Sequence, residues 1–216
     1  MSNMKNKLLI HRLVLTGILA AVVAVLQVFS GYIHFGPFSI TVALIPIIVG
    51  GAICGPLSGA FLGLVMSVVV LINDAGAFLA LDPIGTVVTV LLKGTLAGLC
   101  SGLVYMLLKP LRMHFIIEVK GKEKWRTDSA VAIAAVISPV VNTGIFLLGC
   151  KLFFMPLINE WAAANEYENV GRYMIVGLVG TNFIFELATV IILCPVIARL
   201  IELAGKLNGR LSKNED

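Results

Sequence analysis

Apolar stretches close to the length that crosses a lipid bilayer recur along the whole chain. The hydrocarbon core of a bilayer is about 30 Å thick, and a helix needs about 20 apolar residues to span it. Of the 216 residues, 59% are hydrophobic and 13% are charged, and the mean hydropathy is +1.01. A soluble domain of this size cannot bury so much apolar surface, and the alternating pattern of a membrane β-barrel is absent. The sequence therefore predicts an all-α integral membrane protein.

Six spans account for these stretches and form a single membrane domain over residues 1–216. The second span is short and contains Pro46, and a Cys-Gly-Pro turn separates it from the third span. The first apolar run is too long for a signal-peptide core and lacks a clear cleavage site, so we interpret it as a transmembrane helix. The predicted spans cover residues 12–30, 38–53, 56–72, 83–108, 129–154 and 170–203.

The distribution of charge predicts the orientation of this bundle. Apart from Lys93, Lys151 and Arg172, every lysine and arginine lies near the amino end, near the carboxyl end or in a basic loop over residues 109–128. Positive residues accumulate in the cytoplasmic segments of membrane proteins. We therefore expect both termini and the basic loop to be cytoplasmic. The net charge of +4 follows from this asymmetry and gives no sign of nucleic-acid binding.

Polar residues interrupt the apolar spans, and Lys93 is the most demanding of them. A charge at the centre of a bilayer costs about 3 kcal/mol on insertion scales, so such residues usually face a partner or a cavity. At 1.5 Å per residue, Lys93 lies roughly 15 Å below the outer end of its helix. That depth is compatible with pairing to Glu186, which shares a helix face with Asn182. The intramembrane polar set is Lys93, Asn142, Thr143, Lys151, Asn182 and Glu186.

These polar residues and the outer loops allow two interpretations. Lys93 and Glu186 either lock the bundle as a structural pair, or they line a site in which Lys93 also meets an acidic group of a ligand. The aromatic and acidic outer loops are either an interfacial belt or a lid over an outward-opening site. On the functional interpretation, spans four, five and six form the walls and the first two outer loops cap them. The predicted lining is His34, Phe35, Asn73, Asp74, Lys93, Asn142, Asn182 and Glu186.

Catalytic chemistry finds little support in the sequence. The three histidines are His11, His34 and His114, and none lies mid-helix opposite a serine. The chain contains no His-Glu-x-x-His zinc motif, no Cys-x-x-Cys pair and no phosphate-binding loop. We therefore expect no enzyme activity, no metal and no cofactor, and we expect that the chain cannot power transport by hydrolysis on its own.

Small-residue repeats and several longer motifs resemble those of one transporter family. Ala20 and Ala24 form an Ala-x-x-x-Ala step in the first span, and glycines repeat every four residues in the third and fourth spans. With six spans and the runs ITVALIPIIVGGAICGPLSGAFLG, SPVVNTGIFLLG and GTNFIFE, the chain resembles the substrate-binding S components of energy-coupling factor (ECF) transporters. The resemblance covers nearly the whole sequence.

The resemblance implies a function in vitamin uptake across a prokaryotic plasma membrane. Members of the family capture a vitamin at the outer side, beneath the loops joining spans one to two and three to four. They associate with a transmembrane coupling protein and two cytoplasmic ATPases, and they topple in the membrane to release substrate inside. The small-residue step of the first span contacts the coupling protein, and here it falls on Ala20 and Ala24.

The sequence constrains the substrate less firmly. A lysine in the site suits a carboxylate, because a desolvated charge pair attracts more strongly than one in water, and this favours pantothenate, with folate next. If Glu186 occupies Lys93 fully, a neutral vitamin such as riboflavin is equally compatible. Two other classes stay open. One is a non-transporting membrane scaffold of similar fold, and the other is a small secondary transporter, which usually shows internal repeats that are not evident here.

Overall fold

Helices dominate the part of the chain that the structure describes. The computed structural model describes the backbone of residues 2–32, 34–35, 38–39, 42–111, 114–119 and 123–213. Side chains are described for residue 6 and for residues 9–32, 42–111 and 128–205. Two short antiparallel hairpins accompany the helices in these ranges, and the predicted all-α class is confirmed.

The helices of this described part are numbered α1 to α9 in chain order. Five segments are long and apolar enough to cross a membrane, and α2 is a shorter apolar helix. Together they form the six membrane helices of the predicted bundle. The helices are α1 (Ser2–Ser30), α2 (Leu44–Cys54), α3 (Pro56–Asn73), α4 (Gly76–Leu81), α5 (Pro83–Leu108), α6 (Ser129–Phe153), α7 (Met155–Ala164), α8 (Val170–Arg172) and α9 (Gly180–Lys213).

Helix α2 begins later than the sequence predicted. The second span was expected from residue 38, but strand β2 (Phe38–Ser39) pairs there with strand β1 (His34–Phe35). The pattern did not separate strand from helix because apolar and β-branched residues continue from one into the other. The 11 residues of α2 span about 16 Å, roughly half of the hydrocarbon core. Most of α2 is buried among α1, α3, α5, α6 and α9.

Helices α3 and α5 approach each other more closely than ordinary side chains allow. Gly59 and Gly63 of α3 face Gly98 and Gly94 of α5, and a Cβ atom on Gly63 or Gly98 would collide with the facing backbone. Helices in lipid associate through close van der Waals packing, which small residues permit. The glycine repeats of the third and fourth spans therefore serve packing inside the bundle.

Three buried clusters hold the helices together. The cytoplasmic cluster joins α2, α5, α6 and α9 around Ala134 and Ile197. The outer cluster joins α4, α6, α7 and the start of the sixth span around Phe78 and Phe154. The lateral cluster packs α1 against α2 and α3 around Ile47.

The basic segment between α5 and α6 contains regular structure where a loop over residues 109–128 was predicted. A 3₁₀ turn covers Lys109–Leu111, and strands β3 (His114–Val119) and β4 (Glu123–Asp128) pair as an antiparallel hairpin. The β-branched and aromatic residues of HFIIEV are a strand signal that the loop prediction overlooked. Asp128 then starts α6, because its carboxylate accepts a hydrogen bond from the Ala130 amide at 3.0 Å.

The outer connections also contain helices that the sequence did not predict. Helix α4 lies in the second outer loop and α7 in the third. Asp82 ends the second loop and caps α5 by accepting a hydrogen bond from the Gly85 amide at 2.9 Å. The sixth span was predicted over residues 170–203, and an apolar helical segment long enough to cross a membrane covers Val170–Gly205. This segment begins as α8 and is π-helical over Tyr173–Leu178 before α9, a local widening that is frequent at functional sites.

Candidate functional site

A cavity of about 60 Å³ lies between the helices in the outer half of the bundle. Helices α1, α3, α4, α5, α6 and α9 all contribute side chains to it, so the wall extends beyond the predicted spans four to six. The connection between α3 and α5 covers its outer side. The lining residues are Gln27, Val70, Asp74, Ala75, Phe78, Val90, Lys93, Asn142, Thr143, Phe146, Val179, Asn182 and Glu186.

Lys93 of α5 places a cation in this cavity. Its Nζ lies 5.1 Å from the centre of the Phe146 ring on α6, within the range of a cation–π interaction. Glu186 of α9 and Asp74 at the end of α3 are both close enough to attract the ammonium group. Because Glu186 is only 4% exposed, its carboxylate depends on neighbouring groups rather than on water for stabilisation. The charged part of the cavity is thus one ammonium group with two carboxylates around it.

Amide groups surround these charges. Asn142 of α6 is 5% exposed and Gln27 of α1 is 1% exposed, although both line the cavity. Among the described residues, neither Oδ1 of Asn142 nor either amide atom of Gln27 has a hydrogen-bond partner. A buried polar group without a partner costs about 1–3 kcal/mol. The clustering of such groups at one cavity therefore indicates a site for a polar ligand.

Phe78 forms the roof of the cavity. It is the buried residue of α4, which we call the lid helix. Its ring makes edge-to-face contacts with Phe146, Phe154 and Trp161, and the ring centroids are 5.8, 4.8 and 5.7 Å apart. Aromatic pairs of this kind add about 0.5–1.5 kcal/mol beyond the burial of their area. One side chain therefore anchors the lid helix and presents an apolar surface to the cavity.

The structure brings most of the predicted pocket residues together. Asn73 is the exception among the described side chains, because it is exposed at the end of α3 and does not line the cavity. Asn73 is the last residue of α3 and its side chain is exposed, whereas Asp74, which caps the helix, lines the cavity. His34 and Phe35 belong to strand β1, but their side chains lie outside the described residues. The predicted residues that line the cavity are Asp74, Lys93, Asn142, Asn182 and Glu186.

Ala20 and Ala24 lie on α1 away from the cavity. Both are half-buried, and Ala20 packs partly against the lateral cluster. Ile18, Val22 and Val25 on the adjoining surface of α1 are exposed. The alanine step therefore borders the outward-facing surface of the bundle.

Three important lining residues escaped the sequence prediction. Gln27 carried a usable signal, because it is the one amide in the apolar run of the first span and intramembrane polar groups usually serve a function. Phe78 and Phe146 carried none, since aromatic residues are ordinary components of apolar segments. Their role depends on where the fold places them.

The arrangement suits an organic ligand with several polar groups. It offers a cation, carboxylate acceptors, amide groups and an aromatic roof. Within the described part of the chain, no three or more His, Cys, Asp and Glu side chains converge as metal ligands.

Fold and cavity together define a class of protein, namely a multi-pass membrane protein with a polar cavity between its helices. The chain belongs to the family described as "ECF transporter, substrate-specific component", whose sequence profile matches residues 11–198. This match confirms the resemblance seen in the sequence and identifies a multi-pass protein of the prokaryotic plasma membrane. No curated protein sequence matches the chain. Membership of the family implies a small-molecule substrate and a transport module with which the chain works.

Proposed function

We propose that this protein captures pantothenate at the outer side of the membrane and delivers it with a coupling protein and two cytoplasmic ATPases. The observation that carries the proposal is Lys93, a cation placed between amide groups and an aromatic roof inside a membrane protein of a substrate-binding family. A cation in a low-dielectric site attracts a ligand carboxylate strongly.

The other groups of pantothenate match the remaining lining. Its central amide and its hydroxyl groups can exchange hydrogen bonds with Asn142 of α6 and Asn182 of α9, which both line the cavity. Its geminal methyl groups suit the apolar surface formed by Phe78 and Phe146. Recognition would therefore combine one charge pair, several neutral hydrogen bonds and a small apolar contact, as is usual for small-molecule sites.

The two carboxylates of the cavity also favour a ligand that donates hydrogen bonds. Glu186 and Asp74 compete with any ligand anion for the Lys93 ammonium. A purely anionic ligand would meet two negative groups and one positive group, and the repulsion would weaken its binding. The hydroxyl groups of pantothenate can donate to those carboxylates and offset the repulsion, because charge-assisted hydrogen bonds are stronger than neutral ones.

The size of the cavity favours the smallest of the candidate vitamins. A volume of about 60 Å³ is well below the 300–1,000 Å³ typical of sites for drug-sized ligands. Entry of any vitamin therefore requires the lid helix or the lining side chains to move. Pantothenate is a flexible chain without rings and needs a smaller movement than the fused rings of folate or riboflavin.

Calorimetry with the detergent-purified protein tests this proposal. The two ligands are pantothenate and pantothenol, which replaces the carboxylate by a primary alcohol and leaves the rest of the molecule unchanged. We expect pantothenate to bind at least tenfold more tightly, because only it forms the charge pair with Lys93. Equal affinities would remove the role of Lys93, and heat from folate or riboflavin with none from pantothenate would overturn the choice of vitamin.

A further inference from the structure

Gln27 is the contribution of helix α1 to the cavity. Its side chain is 1% exposed and lines the cavity together with Lys93, Asn142 and Glu186 of three other helices. Neither its amide nitrogen nor its amide oxygen has a hydrogen-bond partner among the described residues. Among the lining residues it is the one supplied by α1.

A purely structural glutamine at this position would be expected to look different. Buried polar side chains in membrane bundles usually bond across to a neighbouring helix. Thr16 on the same helix does so, since its hydroxyl is 2.8 Å from the Arg12 carbonyl oxygen and 3.2 Å from the Ser58 hydroxyl on α3. Gln27 shows no such bond to the described part of the chain, so no partner among those residues offsets the energetic cost of burying it.

We infer that Gln27 is a substrate-binding residue and that it makes α1 sensitive to occupancy of the cavity. A carboxamide offers a donor and an acceptor side by side, so it selects a ligand group that can do both, such as an amide or a hydroxyl. This inference deepens the proposed function and rests on a ligand entering the cavity.

The consequence for α1 follows from its other contacts. Helix α1 packs against α2 and α3 and contacts the cavity through Gln27 alone among the lining residues. The same helix carries Ala20 and Ala24, the proposed contact with the coupling protein. A hydrogen bond between ligand and Gln27 would thus fix the orientation of the helix that meets the partner, and ligand and partner would each favour the same position of α1.

The test compares Gln27→Leu with the wild-type protein in detergent. Three quantities are measured: the thermal midpoint of unfolding without ligand, the affinity for pantothenate by calorimetry, and the amount of small molecule that co-purifies, determined by mass spectrometry. We expect Gln27→Leu to keep or raise the midpoint without ligand, because it removes an unsatisfied buried group. We expect it to bind pantothenate about tenfold to a hundredfold more weakly, as loss of one or two hydrogen bonds predicts.

Thr16→Val is the matched control on the same helix. It removes a satisfied hydrogen bond outside the cavity, so the midpoint should fall while ligand affinity stays at the wild-type value. A lowered midpoint with unchanged affinity in Gln27→Leu would overturn the inference and make Gln27 structural. If the wild-type protein retains another compound instead of pantothenate, the choice of vitamin is wrong. The inference about Gln27 is then supported if Gln27→Leu retains less of that compound than the wild-type protein, and overturned if it retains as much. If the wild-type protein binds neither pantothenate nor another small molecule, both the proposed function and the inference about Gln27 are overturned.

Discussion

Lys93 shows how a single residue can be tolerated at a depth where charge is costly. The Phe146 ring stabilises the ammonium group, and Glu186 and Asp74 also attract it. These contacts reduce the cost of placing a cation in a membrane span. They also make the residue dependent on its surroundings, because removal of one member of a buried charge cluster leaves the others without compensation.

Replacement of Lys93 separates its two roles. Lys93→Met should destabilise the protein by about 3–5 kcal/mol, because the Glu186 carboxylate loses the cation that it faces. The double variant Lys93→Met, Glu186→Gln removes both charges and should recover most of that stability without recovering pantothenate binding. Thermal unfolding and calorimetry on the two variants measure the two effects. Wild-type affinity in a stable double variant would show that Lys93 is only a structural clamp.

The helix amides should contribute to binding independently of the charge. The double variant Asn142→Ala, Asn182→Ala removes both amides from the cavity walls. We expect pantothenate binding to fall below detection in calorimetry, since each hydrogen bond to a ligand is worth about 0.5–1.5 kcal/mol and their loss also leaves ligand groups unpaired. Lys151→Ala is a suitable control, because this lysine is exposed at the end of α6. Unchanged affinity in the amide variant would exclude this cavity as the site.

The sequence could predict these polar residues because polar groups within apolar spans are conspicuous. It identified Lys93, Asn142 and Glu186 individually, and helix spacing placed Asn182 on the same face as Glu186. It could not predict Phe78, whose importance arises from the three rings that surround it in space. Helix spacing also could not predict which of Asn73 and Asp74 lines the cavity, because the direction of each side chain depends on where α3 ends.

At the scale of elements, the contact between α3 and α5 depends on glycine. A Cβ atom on Gly98 would meet the carbonyl oxygen of Gly59, whereas a Cβ atom on Gly144 of α6 would meet nothing within 4 Å. Gly98→Ala should therefore force α3 and α5 apart and lower the stability by about 1–3 kcal/mol or more, as overpacking does. Gly144→Ala should keep or raise the stability, because the added methyl group has room and alanine favours the helix. Thermal unfolding in detergent compares the two variants. Equal midpoints would contradict the close packing of α3 against α5.

The lid helix gives a second prediction at this scale. Phe78→Ala removes the side chain that anchors α4 to α6 and α7, and we expect bound pantothenate to dissociate at least tenfold faster. Leu81 lies on the same helix but is 44% exposed, so pantothenate should dissociate from the Leu81→Ala variant at the wild-type rate. Rapid dilution of labelled ligand measures both rates. Equal rates in the two variants would show that α4 does not retain the ligand.

The long helices were predictable from the sequence, and the short elements were not. Apolar stretches of bilayer length predicted α3, α5 and α6 to within a few residues. Helices α4 and α7, the two hairpins and the π-helical segment are all shorter than the periodicity that identifies a span. Their conformations depend on tertiary contacts, such as the packing of Phe78 in α4 and of Tyr173 in the π-helical segment within the outer cluster.

For the whole molecule, the bundle separates two surfaces with different chemistry. The polar cavity lies in the outer half, between α1, α3, α5, α6 and α9. Large exposed apolar side chains cover much of the outside of the helices, as the surrounding lipid requires. A partner in the membrane must bind this apolar exterior, and close helix contact is easiest where side chains are small. The small side chains of α1 include Gly17, Ala20, Ala21 and Ala24, and the last three lie within one turn and a half of the helix.

Uptake and binding should therefore respond differently to changes on α1. Ala24→Trp places a large side chain on the proposed partner surface, where it would hold the coupling protein away from the helix. We expect uptake of labelled pantothenate to fall at least tenfold in cells that carry the complete transport module. Affinity of the purified variant for pantothenate should stay within twofold of the wild-type value, because Ala24 does not line the cavity.

Ile18→Trp distinguishes loss of partner contact from general damage to the helix. Ile18 lies on the same helix and is 58% exposed, so tryptophan there meets lipid and should leave both uptake and affinity intact. If Ala24→Trp lowers affinity in parallel with uptake, the alanine step belongs to the internal packing of α1 on α2 and α3. If both variants abolish uptake while both retain affinity, the partner covers a wider face of α1 than the small-residue step. Only loss of uptake in Ala24→Trp alone assigns the coupling contact to that step, because the two variants differ in where the added ring lies and not in its size.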